Sequence, residues 1–505
     1  MRKNLANAGW RSRQTYYKKQ QKSAQTRKKI LRTVILIPAF CIVVYAAVSG
    51  VINLFAKFHT KKEKPPEVAE VKKIETTAKP AVSSGAIPSE AQASKAEVKT
   101  DASQPEKSIT DSDKKTEETA DASQAPLIKP LSGSYEKKDL YKFLGQPGFS
   151  SFQTPNFEVQ HGPSKITVKT TINNNLQTFL TESIDSVKNL RQGKPRYFGI
   201  VAMDPSTGKI LGMGGFDGDA ESKGICPGNL YPAASVFKII TAAAAVESKG
   251  FTPGTQMLFH GNKYTLYKSQ VNDSRDRYAT KITLNDSFAQ SINPVFGKIG
   301  SQYLSKEVLA SYGNSLGFNK KFDFELPLQQ SFLEISGDKF HQAEIASGYN
   351  RDTKISPIHG AMIASAVINE GRLPEPYLVE QISNEKGELI YQASPKLGEQ
   401  VISPETANTL KQLMESTVSK GTGKKSFAGS ENDVVLKSLD MGGKTGSIDN
   451  PTHEVRFDWF VGFAKSDEGK KVAVAIVVGH EKFIGTKASR YARMIFRRYF
   501  QPGNT

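Results

Sequence analysis

"YPAASVFKIITAAAAVESKG", residues 231–250, sets a serine and a lysine three positions apart at the head of a small-residue helix. Ser235 and Lys238 stand at i and i+3 and share one helical face about one turn apart. Ala242 to Val246 is small and apolar throughout, and Gly250 supplies a stop, so the stretch reads as a buried helix. A lysine on such a face either snorkels its amine outward or is retained there for chemistry. This stretch alone leaves both readings open.

The 505 residues have room for two or three domains, and 38% hydrophobic with 23% charged residues fits a globular protein that also carries disordered chain. The net charge of +18 looks like a nucleic-acid signal until it is located. Residues 1–30 hold ten Lys and Arg and no acid, so +10 of the +18 belongs to a short N-terminal arm. With no zinc-ligand spacing and no RNA-binding aromatic motif beside the arm, nucleic acid is not expected as a partner. The arm (1–32) leads into "TVILIPAFCIVVYAAVSGVINLFA", residues 33–56, which has no charge. As a helix it measures about 36 Å, enough to cross a bilayer core of about 30 Å. More basic residues precede it than follow it, which predicts a cytoplasmic N-terminus and the rest of the chain outside the cytoplasmic membrane. A cleaved signal peptide ending near Ala47-Val48-Ser49 is the rival, but the arm is long for that and the apolar run continues past it. Cys41 lies in the span and Cys226 far beyond it, so no disulfide framework is expected.

Residues 57–134 are Lys, Glu, Ala, Ser, Thr, Asp and Pro with almost no aromatics. They cannot bury enough apolar area to offset ordering, so they read as a disordered tether. Residues 135–505 read as folded. "ITVKTTI" (166–172) alternates like a strand, and 174–190 has helical spacing. "YFGIVAMDPSTGKILGMGGF" (197–216) gives two strands about an Asp-Pro-Ser-Thr-Gly turn. Its Gly212, Gly214 and Gly215 end a hairpin and open no helix, which removes a dinucleotide-loop reading. A mostly helical middle, 233–420, is followed by strands at 436–441, 458–465 and 471–479 and a helix at 486–499. Strands at both ends with helices between predict one sheet built from both ends of the folded region.

A lone S-x-x-K is weak evidence. Ser112/Lys115, Ser134/Lys137, Ser206/Lys209 and Ser336/Lys339 also match and fall in tether or turns. Ser235 differs because a helix begins there, where free N–H groups and a positive partial field gather. Its plain alternative is a helix cap. Two further segments change the balance. "FAQSINPVFGKIG" (288–300) holds Ser291 and Asn293 between two helical pieces, and "MGGKTGSIDN" (441–450) holds Lys444, Thr445, Gly446 and Ser447 at the end of a strand. Taken singly, each reads as a turn or a strand-end loop. The ordered trio S-x-x-K, S-x-N, K-T-G is closely similar to a set that serves acyl transfer to serine.

From about residue 165 to 499 the chain resembles the transpeptidase domain of penicillin-binding proteins, in the serine DD-peptidase and β-lactamase superfamily. The likeness extends to "VAMDPSTGKILGMGG" (201–215), to "YNRDTKISPIHGAMIASAVINEGRLPEPYLVEQI" (349–382), and to "STVSKGTG", "GGKTGS" and "DWFVGFA" in that order. The fold it implies is α+β: a five-stranded, mostly antiparallel sheet flanked by helices, plus a helical subdomain, with the active site between them. The chain departs from the family in three ways. Residues 57–165 leave no room for a glycosyltransferase domain, the usual large pedestal is missing, and Ser447 stands where threonine is common.

The resemblance implies that Ser235 attacks the carbonyl between the last two D-alanines of a peptidoglycan stem peptide, with Lys238 as its base. Lys238 could shed its proton near neutral pH if desolvated and crowded by Lys444. By the same carry-over, Ser291 relays a proton to the leaving amine and Asn293 binds the substrate amide. Lys444 supplies positive potential, Thr445 and Ser447 hold the terminal carboxylate, and the N–H groups of Ser235 and Ser447 form the oxyanion hole. Gly446 is expected to let backbone approach substrate. No metal or other cofactor is implied, and the seven histidines show no ligand spacing. β-Lactams would be inhibitors, and another cell-wall synthesis protein such as a glycosyltransferase a possible partner. Transpeptidation is the leading expectation. DD-carboxypeptidase or β-lactamase activity, and a non-catalytic β-lactam receptor or scaffold, are the alternatives.

Overall fold

The computed structural model describes Leu140 and residues 155–503, apart from 162–163, 219, 222–225, 229, 273–277, 396–397 and 482. The described residues belong to one compact unit, Thr116–Thr505. The expected arm, membrane span and tether lie outside the described residues, among which no helix is long and apolar enough to cross a membrane.

A hairpin, β1 (Asn156–His161) and β2 (Ser164–Thr170), leads to helix α1 (Asn174–Lys188), which starts where Asn173 accepts a hydrogen bond from Leu176 N. A second hairpin follows, β3 (Tyr197–Met203) and β4 (Ile210–Asp217). The middle of the chain carries α2 (Lys238–Lys249), α3 (Leu284–Ala289), α4 (Asn293–Lys298), α5 (Lys339–Ser347) and α6 (Pro357–Ile368). Then come β5 (Val379–Asn384), β6 (Leu389–Gln392) and α7 (Pro404–Ser419). The chain ends in β7 (Leu439–Asp449), β8 (Arg456–Ser466), β9 (Lys471–His480) and α8 (Ala488–Tyr499).

The main sheet runs β7-β8-β9-β3-β4, antiparallel throughout, and the two ends of the folded chain meet where Ala475 of β9 pairs with Val201 of β3. A two-residue strand, Ala220–Glu221, pairs with β4 and makes six strands where five were expected. Strand alternation explains how helices cover both faces. In β9, Val472, Val474, Ile476 and Val478 pack with Leu180 of α1 and Phe496 of α8. Ala473, Ala475 and Val477 join the opposite cluster with Ala361 and Met362 of α6. That face is small by design of the sequence: a Cβ on Gly360 would stand 3.0 Å from Ala475 Cβ, so α6 lies close on the sheet. α6 is buried all round, as a helix apolar on every side must be.

Two local expectations are corrected. The mostly helical middle also contains β5 and β6, which join β1 and β2 in a separate four-stranded sheet of order β1-β2-β5-β6. These strands are short and partly exposed, so their alternation is diluted by polar residues. The strand expected at 436–441 begins only at Leu439, after a 3-10 turn at Leu436–Ser438, and runs on to Asp449. Gly442 and Gly443 do not end it. Their missing side chains make room for the rings of Phe463 and Phe460, which an added Cβ would approach to 2.4 and 2.2 Å.

Candidate active site

Ser235 lies on a 3-10 turn, Ala234–Phe237, that runs directly into α2. The turn is held from three sides. Trp459 Nε1 on β8 donates to Pro232 O at 3.0 Å, Ala233 N donates to Thr353 O at 2.9 Å, and Gly348 packs on Ala234. Ala234 sits at φ 49°, a left-handed backbone that costs a non-glycine residue free energy and persists only where its surroundings fix it. Gly348, with φ 64°, is part of that fixing: a Cβ there would fall 1.9 Å from Ala234 O and 2.9 Å from Ser235 N.

Lys238 opens α2 and is fully buried. Its Nζ donates to Ser235 Oγ at 2.8 Å, to Asn293 Oδ1 at 2.8 Å, and to the carbonyl oxygen of Ser347 at the end of α5. Burial, reinforced by the charge of Lys444, holds this amine well below its ordinary range. The partners then fix the direction of proton traffic. Two of them are carbonyl oxygens, which only accept, so a neutral amine spends its two hydrogens there. Its lone pair is left facing the Ser235 hydroxyl. That is the geometry of a base poised on a nucleophile.

Ser291 and Asn293 frame the turn between α3 and α4, and Ser291 has φ 60°, a second left-handed non-glycine residue at the site. The loop at 263–264 pins Asn293 from outside. Asn293 N donates to Lys263 O at 2.8 Å and its Nδ2 donates to Tyr264 O at 2.9 Å, which turns Oδ1 toward Lys238. Lys444, on β7, is fully buried; it donates to Ser291 Oγ at 2.8 Å and to Thr445 O at 2.9 Å. Burial brings its pKa down to about 7. Among the described residues neither amine has a carboxylate partner. Each instead lies near an aromatic ring, Lys238 at 5.6 Å from the Phe296 centroid and Lys444 at 5.5 Å from that of Phe288.

Beyond Lys444 the strand presents Thr445, Gly446 and Ser447. At Gly446 a Cβ would meet Ala234 Cβ at 3.3 Å and Ser235 N at 3.4 Å, so its absence seats β7 against the serine turn. Ser447 is exposed, and Arg456 Nε on β8 donates to its Oγ at 2.9 Å. Sequence reasoning did not single out Arg456, nor Thr422, whose hydroxyl is hydrogen-bonded to that of Thr445. Thr422 stands on the turn after α7, hooked to the end of α3 by its N–H donating to Ala289 O at 3.0 Å. The only hint of it was the "STVSKGTG" stretch. Arg456 reaches the site through strand register, in which it pairs with Asp449, two residues beyond Ser447.

The other described S-x-x-K pairs are spent elsewhere. Lys209 bonds Glu380 Oε1 at 2.7 Å, and Lys339 donates to Ser301 O at 3.1 Å while Ser336 bonds the ring of His341 at 2.7 Å. Ser112/Lys115 and Ser134/Lys137 lie outside the described residues.

The fold is thus built around a serine whose hydroxyl faces a buried, deprotonation-prone lysine, with a second buried lysine holding a second serine. The sequence model of the penicillin-binding protein transpeptidase domain matches residues 198–501, and the chain belongs to that family. It is 27% identical over 361 residues to stage V sporulation protein D of Bacillus subtilis, an alignment covering 65% of this chain and 53% of that one. It is 26% identical over 319 residues to the peptidoglycan D,D-transpeptidase PbpA of Mycolicibacterium smegmatis, covering 55% and 61%. The chain therefore spans between about half and three fifths of these relatives' lengths. The fold is similar to that of penicillin-binding protein 3 of Mycobacterium tuberculosis complexed with aztreonam, with a TM-score of 0.56, 19% identity, and 69% and 82% of the two chains covered. It is also similar to the D,D-transpeptidase domain of a peptidoglycan glycosyltransferase from Eggerthella lenta, with a TM-score of 0.53, 24% identity, and 66% and 82% covered.

Proposed function

We propose that the chain is a peptidoglycan DD-transpeptidase that works through an acyl-enzyme on Ser235 and is acylated and inhibited by β-lactams. Lys238 takes the Ser235 proton as Oγ bonds the carbonyl carbon between the last two D-alanines of a stem peptide. The N–H groups of Ser235 and Ser447 receive the oxyanion. The C–N bond then breaks, and the leaving D-alanine amine is protonated through Ser291, backed by Lys444. Asn293 binds the substrate amide, and Thr445 and Ser447 take its terminal carboxylate. An amine from a neighbouring stem peptide attacks the ester, forms the cross-link and returns the proton and the free hydroxyl to Ser235. The observation that carries this reading is the Lys238 amine, whose two carbonyl partners leave its lone pair for Ser235. Family membership and the resemblance to a named transpeptidase support the choice of polymer. In this reading residues 33–56 anchor the chain in the cytoplasmic membrane, and 57–134 tether residues 135–505 outside it.

The test is labelling of the full-length chain with a fluorescent penicillin, followed by product analysis on stem peptides with an acceptor amine. Wild type is expected to be labelled and to form the cross-linked dimer, and Ser235→Ala to do neither. Labelling that persists in Ser235→Ala would move the nucleophile elsewhere, and release of D-alanine without dimer would make the enzyme a carboxypeptidase.

A further inference from the structure

A cavity of about 340 Å³ lies between the short helix Lys268–Val271, the π-helical turn Ile299–Tyr303 and the start of α5. Its walls include Lys268, Asn272, Gln302, Lys339 and Phe340. The volume suits a small ligand or one unit of a larger one. Its charge is cationic. Among the described residues Asp338 is the one carboxylate in the lining, with Glu307 close enough to Lys339 to feel its charge, and Asp338 is committed to the N-cap of α5, accepting from Phe340 N at 3.2 Å and His341 N at 3.3 Å. Two ammonium groups remain. Lys339 gives one hydrogen to Ser301 O at 3.1 Å, and Lys268 stands 5.8 Å from the centroid of the Phe340 ring. An ammonium has three hydrogens to donate, so both can still meet an anion.

The cavity is linked to the reacting groups by three segments. α5 begins in the cavity wall at Lys339 and ends at Ser347, whose carbonyl accepts from Lys238. α4 begins at Asn293, the other carbonyl partner of Lys238, and passes after Lys298 into the π-helical turn that carries Ser301 and Gln302 in the wall. Eight residues separate the ends in each case, about 12 Å of helix. The third segment is on the surface. Lys263 and Tyr264 hold Asn293 through their carbonyls, and the chain continues past Tyr264 and Tyr267, 52% and 61% exposed, to Lys268. A strip of two exposed tyrosines thus joins the amide-binding side chain to a cationic pocket. A span of about 12 Å is three to four residues of extended peptide.

We propose that this cavity is a remote subsite for a carboxylate carried by the peptide of the polymeric substrate, an inference that rests on the transpeptidase reading above. Lys268 and Lys339 bind the carboxylate, Asn272 and Gln302 its amide neighbours, and Tyr264 and Tyr267 line the path to Asn293. The ligand class is a stem peptide with free side-branch or α-carboxylates; the amidated form fits poorly.

The probe is N-acetylmuramyl-L-alanyl-γ-D-glutamyl-L-lysine, which lacks the two D-alanines and cannot act as a donor at Ser235. Its binding to the full-length, penicillin-treated chain is measured by calorimetry against the same peptide with both carboxylates amidated. Wild type is expected to bind the dicarboxylate at least tenfold more tightly than the diamide. Lys268→Gln with Lys339→Gln should erase that difference, while Lys268→Arg with Lys339→Arg keeps it, with melting temperatures reporting that each variant is folded. Equal binding of the two peptides by wild type, or an unchanged preference in the glutamine variant, would overturn the proposal. Failure of penicillin to acylate Ser235, read by mass, would count against the transpeptidase reading alone, and the peptide is then titrated into the untreated chain.

Discussion

Replacing Gly348 by alanine tests whether the serine turn is held in place by the close approach of its neighbour. The left-handed φ of 64° at Gly348 costs an alanine about 1 kcal/mol. The larger effect is steric. The new Cβ would fall 1.9 Å from Ala234 O, where ordinary contact begins at 3.4 Å, so the gap must widen by about 1.5 Å. The obstacle is backbone, which cannot rotate aside, and Ser235 N lies only 2.9 Å from the same point. The movement is therefore passed to Ser235, the proposed nucleophile, or to the Ser347 carbonyl that orients Lys238. A displacement of about 1 Å in a reacting group costs about 100-fold in rate. Gly348→Ala is expected to lower the second-order rate constant of penicillin acylation about 100-fold, measured by stopped-flow quenching or by gel with a fluorescent penicillin. Gly250→Ala is the matched control. It has φ 65° at the end of α2 with nothing within 4 Å of its would-be Cβ. It should lose about 1 kcal/mol of stability and acylate within twofold of wild type. Acylation by folded Gly348→Ala within threefold of wild type would refute the reasoning.

Two further outcomes follow from the buried lysines. Lys238→Ala should remain folded by circular dichroism and lose about 10²–10⁴-fold in acylation rate, the usual worth of a general base; near-normal acylation would remove Lys238 from that role. The second concerns stability against pH. The folded-state pKa of Lys444, about 7, lies below that of a free lysine, about 10.4, so between these values the unfolded chain binds more protons than the folded one. Stability therefore rises with pH across that window, by at most about 1.4 kcal/mol per unit for this group. Urea midpoints at pH 7.5, 8.5 and 9.5 should climb in wild type, and Lys444→Met should climb less; equal slopes would contradict the burial argument.

The parts of the site that were legible in the sequence are those fixed by local geometry or by a short motif. Ser235 and Lys238 are one helical turn apart, and no tertiary information is needed to bring them together. Ser291 with Asn293 and Lys444 with Thr445 were recognisable as segments, yet only the resemblance said that they meet. The sheet built from both chain ends was readable because β3 and β9 are nearly continuous apolar runs, and two-sided burial leaves no other use for them. What escaped has physical causes. The Ser347 carbonyl carries no side-chain signature, although it is one of the three partners that orient Lys238. Arg456 depends on the register of β7 against β8, set across a turn whose sequence does not dictate it. The strand expected at 436–441 stops short of Gly442 and Gly443 because a ring lying across a bare backbone is invisible to periodicity.

Two left-handed non-glycine residues, Ala234 and Ser291, and two buried amines with no carboxylate partner among the described residues stand within one constellation. Each of these features opposes folding, by about 1 kcal/mol or more for each strained residue. They persist because the strain is distributed onto rigid supports. The turn carrying Ser235 is tied to β8 through Trp459 and braced by Gly348, and the turn carrying Ser291 is closed by Ser291 N donating to Phe288 O at 3.0 Å and Ile292 N to Ser287 O at 2.9 Å. The scaffold behind them is a sheet buried on both faces. Weakening a support should then relax the strained turn without unfolding the sheet, so activity is lost before stability. That ordering separates a preorganised centre from a cleft whose polar residues merely happen to be close, since in the latter the two would fall together.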